Sequence, residues 1–209
     1  MSVAILKQAQ QFSWRTSSFL WDDPRGYLAA KEWLDNGFAY HADDFRAGGE
    51  SARQGSPHPW PEGFNEARLL RTPDGRRAIG SEIYQRLTQA QPTKYELWRG
   101  VTGDLPYTEG QTVSMPLSSF AIDKAKASEF ARETPKDTGG YLLRMSPGSQ
   151  SYKLINHDNP GELRGWDPAG EHISMGDFRV NRIHQPRNPG DLPIADITHL
   201  GLGAPEVRP

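Results

Sequence analysis

The chain has 209 residues, 24 basic against 26 acidic, a formal net charge of −2, and no cysteine. That balance gives no electrostatic footprint for a nucleic-acid binder, although a local basic patch can hide within the sum; the missing cysteines exclude disulfides, thiolate metal sites and a cysteine nucleophile. Hydrophobic residues make up only 35 % and mean hydropathy is −0.72, yet 6 Trp, 7 Tyr and 8 Phe supply large areas to bury, so one folded domain with extensive loops is expected.

The opening stretch MSVAILKQAQQFSWRT has a short apolar run and no small-residue cleavage site, so it does not read as a signal peptide. No window approaches the length of a membrane span. The expectation is a cytoplasmic protein without a membrane partner. GYLAAKEWLDN, residues 26–36, predicts a helix on Tyr27, Leu28, Trp33 and Leu34, closed by Gly37. From Phe38 to Glu62 the density of Gly, Pro and Ser predicts a long loop. Its Arg46, Arg53, His58 and Trp60 are read either as a contact surface or as part of a flexible connector. Ile79, Ile83 and Leu87 predict a second helix over 76–90, ended before Pro92.

Short apolar or alternating runs follow: KYELWRG, TVSMPL, GYLLRM, SYKLI, EHISM, FRVNRI and IADITHL. A helical stretch over 122–133, spaced on Ile122, Ala125, Phe130 and Ala131, interrupts them. The order predicts an α+β fold with mainly antiparallel sheets. Residues 1–92 form its helical and loop part, and 93–200 its strand-rich core, within one domain.

Several motifs fail their physical tests. The histidines at 41, 58, 157, 172, 184 and 199 show no metal-ligand spacing, so no metal is expected. GLGAPE has no following helix and is not a dinucleotide loop. Asp22, Asp23, Asp43 and Asp44 read as solvated turns.

Three features of the strand-rich part stand in order: YELWRGVTG at 95–103, MPLSSFAIDKAKASEFA, and GWDPAGEHISMGDFRV. Singly they admit plain readings. Arg99 can be a surface ion-pair partner; Ser118, Ser119 or Asp123 can cap a helix; Glu171 can be simply exposed. In this order, with strand, strand–helix and loop–strand contexts, they resemble the toxin-type mono-ADP-ribosyltransferases of the arginine–serine–glutamate class. The resemblance spans about residues 94–184.

It implies an N-terminal helical part packed on a two-sheet core and NAD⁺ as substrate. The reaction would be glycosyl transfer of ADP-ribose to a macromolecule, protein or nucleic acid, by a toxin or defence effector with an antitoxin or immunity partner. Arg99 would then bind phosphate or ribose, and Gly100 would let the backbone approach the nicotinamide carboxamide. Ser118, as the leading serine, would hold the glutamate or the ribose, with Ser119 beside it. Trp98 and Phe120 are read either as walls of the ring site or as core. Glu171 would stabilise the oxocarbenium-like state. Glu162 competes for that role but lacks a following apolar strand.

The segment 156–170 would recognise the acceptor, with Trp166 stacking or anchoring the loop. Ala169 stands where many family members carry the glutamate or glutamine that helps select the acceptor. An NAD⁺ glycohydrolase, or a non-catalytic binding module of the same fold, is the alternative.

Overall fold

Thr72 and Pro73 begin the helix that Ile79, Ile83 and Leu87 predict. Proline suits the first helical position, and the Thr72 hydroxyl accepts the Gly75 N–H at 3.1 Å. The computed structural model describes residues 41–60, 72–132, 139–153 and 170–203. They fall in two compact units, one holding the described residues up to Gln89 and the other those from Ala90 to Gly203. The helix predicted over 26–36 lies outside the described residues.

In the first unit, α1 spans Ala42–Arg53 and α2 Pro73–Gln89. Most of the predicted loop after Phe38 that is described is therefore helix. Gly48 and Gly49 read locally as breakers, but they are buried on α1. A Cβ on Gly48 would lie 2.0 Å from the Arg77 carbonyl oxygen, and one on Gly80 2.0 Å from that of Phe45. The glycines sacrifice helix propensity, about 1 kcal/mol each, and so let two helix backbones meet. Fully buried Phe45, Ile79 and Ile83 offset that loss.

Polar ties add direction. Arg76 Nε donates to Asp44 at 2.7 Å, and the Ser81 hydroxyl donates to the Gly48 carbonyl at 2.8 Å. Asp44 is thus an ion-pair partner in the first turn of α1, where a negative charge also suits the helix dipole. Arg53 pairs with Glu50, the His58 amide donates to Ser81, and Trp60 Nε1 donates to Glu82. The segment up to Trp60 is knitted to α2 and is not a free connector.

The second unit contains β1 Leu97–Thr102, β2 Thr112–Ala121, α3 Lys124–Arg132, β3 Gly140–Met145, β4 Tyr152–Lys153, β5 Glu171–His184 and β6 Ile194–Gly201. The strands form one six-stranded sheet in the order β2-β1-β3-β6-β5-β4, which β2 closes by also pairing with β5. The pairings are antiparallel except β3 with β6. The runs EHISM and FRVNRI, separate in the sequence pattern, form the single strand β5. Gly176 passes through it, and the register to β6 shifts between Asp177 and Phe178 instead of turning.

Leu97, Phe120, Tyr141, Leu143, Phe178, Val180 and Ile197 fill the enclosed side. α3 covers the other face of β1 and β3 with Ala127 and Ala131 against Trp98 and Leu142. Ala125 and Phe130, expected on that buried stripe, are exposed, because the face α3 turns to the sheet is the one carrying Ala127 and Ala131. Asp123 caps α3, its carboxylate accepting the Ala125 N–H at 2.7 Å. No described helix is long and apolar enough to cross a membrane.

Candidate active site

Strand alternation fixes where Arg99 points. Leu97 and Val101 turn to the enclosed core and Trp98 to α3, so Arg99 leaves β1 on the core side. There its Nη1 donates to the Ser119 carbonyl oxygen on β2 at 2.9 Å. Its charge is also felt by Tyr141. Burial, and after it the hydrogen bond with Tyr107, push that phenol far above its ordinary range, while Arg99 pulls the other way.

β2 and β5 bring the serine and the glutamate together. Ala121 pairs with Glu171 and Ser119 with Ile173, so Ser119 and Glu171 are diagonal neighbours on one face. The Ser119 hydroxyl donates to Glu171 Oε1. The Ser119 hydroxyl thus meets Glu171 on one face of β2 and β5, while Arg99, leaving β1 on the core side, reaches the Ser119 backbone carbonyl; all three residues are half-buried.

Ser119, not Ser118, is the serine that meets Glu171. The register between β2 and β5 slips between Met115 and Ser118, around Pro116. Without that bulge, Ser119 would share a face with Met115 and the enclosed core. With it, Phe120 returns to the core and Ser119 turns to the face of Glu171. Ser118 is 4 % exposed, and its hydroxyl donates to the Pro116 carbonyl at 2.8 Å. The signal was present in MPLSSF: a proline inside a strand pattern marks a bulge, and a bulge inverts every later side chain. Neither serine caps a helix.

Phe120, Trp98 and Gly100 are all taken up by packing within the fold. Phe120 is 1 % exposed and stacked on Phe178, so it has no face for a nicotinamide. Trp98 is 7 % exposed, covered by the α3 alanines, with Lys124 Nζ 4.8 Å above its ring. Gly100 does admit a close backbone, but that backbone is α3: a Cβ there would lie 1.9 Å from the Ala127 carbonyl oxygen and 2.7 Å from the Ala131 nitrogen. Glu162, Trp166 and Ala169 lie outside the described residues.

A permanent cation, a hydroxyl and a carboxylate on three adjacent strands suit the polar half of a dinucleotide: phosphate and ribose. The aromatic half would have to be held by residues other than Trp98 and Phe120. Removing the Ser119 hydroxyl is expected to lower NAD⁺ cleavage about tenfold or more, the loss of one charge-assisted hydrogen bond. Ser118→Ala should change the rate by less than about threefold. Initial rates of nicotinamide release from the two variants check this; a larger effect at Ser118 would return the role to it.

No protein-family model and no curated protein matches the sequence. Solved structures do match it in fold. Vis toxin, an ADP-ribosyltransferase from Vibrio splendidus, is 12 % identical with a TM-score of 0.56, covering 96 % of this chain and 87 % of that one. Exoenzyme S from Pseudomonas aeruginosa, solved with human 14-3-3 protein beta and bound to carba-NAD, is 13 % identical with a TM-score of 0.52, covering 99 % and 94 %. An ADP-ribosyltransferase from Clostridium botulinum is 10 % identical with a TM-score of 0.50, covering 92 % and 94 %. The chain has the fold of the bacterial toxin mono-ADP-ribosyltransferases.

Proposed function

We propose that this protein is an NAD⁺-dependent mono-ADP-ribosyltransferase that modifies a macromolecule, as a toxin or defence effector does. The observation that carries the reading is the Ser119 hydroxyl bonded to Glu171 while the Arg99 guanidinium holds the backbone carbonyl of the same serine. The fold likeness supports it independently, and one of the fold neighbours is bound to carba-NAD.

In this reading Arg99 binds the pyrophosphate or the adjoining ribose with planar, permanently charged donors. The bond between the ribose C1′ and the nicotinamide nitrogen breaks, and its electron pair leaves with neutral nicotinamide. Positive charge then develops at C1′. The Glu171 carboxylate, held in one orientation by Ser119, stabilises that charge and accepts a hydrogen bond from the 2′-hydroxyl. A lone pair of the acceptor forms the new bond to C1′, and the acceptor's proton passes to solvent.

Ala169, two residues before Glu171, carries neither a carboxylate nor an amide to orient an acceptor. That favours a second reading, an NAD⁺ glycohydrolase in which water attacks. One experiment separates them. The protein is incubated with adenylate-labelled NAD⁺ and cell lysate, and the labelled product is treated with protease or nuclease. Transfer predicts macromolecular label released by one of the two treatments. Nicotinamide release with all label remaining as free ADP-ribose supports the hydrolase. No cleavage overturns both and leaves a non-catalytic module.

A further inference from the structure

A cavity of about 350 Å³ opens beside α3, along the face of β3 and β6 opposite the enclosed core, and under the connection from β5 to β6. It shares no residue with the Arg99–Ser119–Glu171 cluster. Lys124, Arg132, Arg144 and Arg187 line it, against a single carboxylate, Asp191. In a chain of formal net charge −2 this is a strong local concentration of positive charge.

Neighbouring carboxylates leave part of that charge uncompensated: Asp196, with Glu96 3.9 Å away, offsets Arg144, and Asp191 stands in the lining. Asp191 already accepts two hydrogen bonds from Asn188. Lys124 lies over the Trp98 ring, and Arg132 donates to the Gly190 carbonyl at 3.3 Å. Among the described residues neither they nor Arg187 makes an ion pair with a carboxylate. Arg144 differs: Nε and Nη2 hold Asp196 in a fork, both at 2.6 Å, and His184 Nε2 lies 2.8 Å from the same carboxylate. Burial raises the Asp196 pKa, but the Arg144 and then the His184 hydrogen bonds outweigh it and hold the group below its ordinary value. The guanidinium is thereby fixed in place at the cavity wall.

Arginine forks and a lysine point charge suit phosphate oxygens. The space exceeds what one phosphate needs and falls in the range of small-molecule sites, about 300–1,000 Å³. Leu142, Leu192 and Ile194 supply an apolar wall for a ring. We propose that this cavity is a second binding site, for a phosphate-bearing ligand of mononucleotide size. The inference stands apart from the proposed activity.

Adenosine 5′-monophosphate and inorganic phosphate are the probes, titrated calorimetrically into the full chain. Adenosine monophosphate is expected to bind, with inorganic phosphate about tenfold weaker or worse because it leaves the apolar wall empty. The double variant Lys124→Ala/Arg187→Ala should weaken nucleotide binding about tenfold or more while its ligand-free Tm stays put. Arg187→Glu, a charge reversal at an exposed loop residue, should do the same. Arg99→Ala should leave the affinity within about twofold. No binding of the nucleotide, binding unchanged in both cavity variants, equal affinity for inorganic phosphate, or loss of binding in Arg99→Ala would each overturn the assignment.

Discussion

Glu171→Gln is expected to lower NAD⁺ cleavage by about 10²–10³-fold with Tm nearly unchanged, the scale on which single transition-state stabilisers act. Glutamine keeps the shape of the side chain and can still accept from the Ser119 hydroxyl, so the diagonal contact between β2 and β5 survives. What disappears is the negative charge that the proposed mechanism sets against C1′ as nicotinamide leaves. The loss should therefore fall on kcat more than on KM. Glu162→Gln, assayed in parallel, should retain the rate. Full activity in the Glu171 variant with loss in the Glu162 variant would transfer the catalytic role to the competitor.

Gly100→Ala should damage the fold before it affects any ligand. The added methyl would meet the Ala127 carbonyl oxygen and the Ala131 nitrogen, both α3 backbone atoms that no rotamer change can move. Either α3 lifts from β1 or β1 bends, at a cost of about 1–3 kcal/mol or more. For a chain of this size each kcal/mol lowers Tm by about 2–4 °C. Thermal unfolding together with NAD⁺ titration decides the matter. If Gly100 served only to admit a nicotinamide, the variant would keep its Tm and lose affinity alone. Gly140 meets Ala131 in the same way, its added Cβ lying 2.1 Å from that carbonyl oxygen, so the helix seats across both strands on paired glycines.

Much of this architecture is local and was legible. Ile79, Ile83 and Leu87 announce α2 because a turn of helix returns each to the same face, whatever lies opposite. IADITHL announces a strand for the equivalent reason at the shorter period, and GYLLRM does so as a short apolar run buried on both faces. Arg99, the serine pair and Glu171, in that order, fell on three strands, β1, β2 and β5, that the sheet sets side by side.

Three further features depended on partners distant in the chain. The glycines of α1 signify a helix only once the backbone of α2 is seen against them; read alone, they are breakers. Ser118 and Ser119 are chemically equal in sequence, and only the bulge at Pro116, set by pairing to β5, decides which one meets Glu171. Lys124, Arg132, Arg144 and Arg187 are scattered over more than sixty positions, and the closing of β3, β6 and α3 makes them one basic cavity. Periodicity records which way a side chain faces along its own element. What it meets there is a contact between elements, and only the tertiary structure decided that.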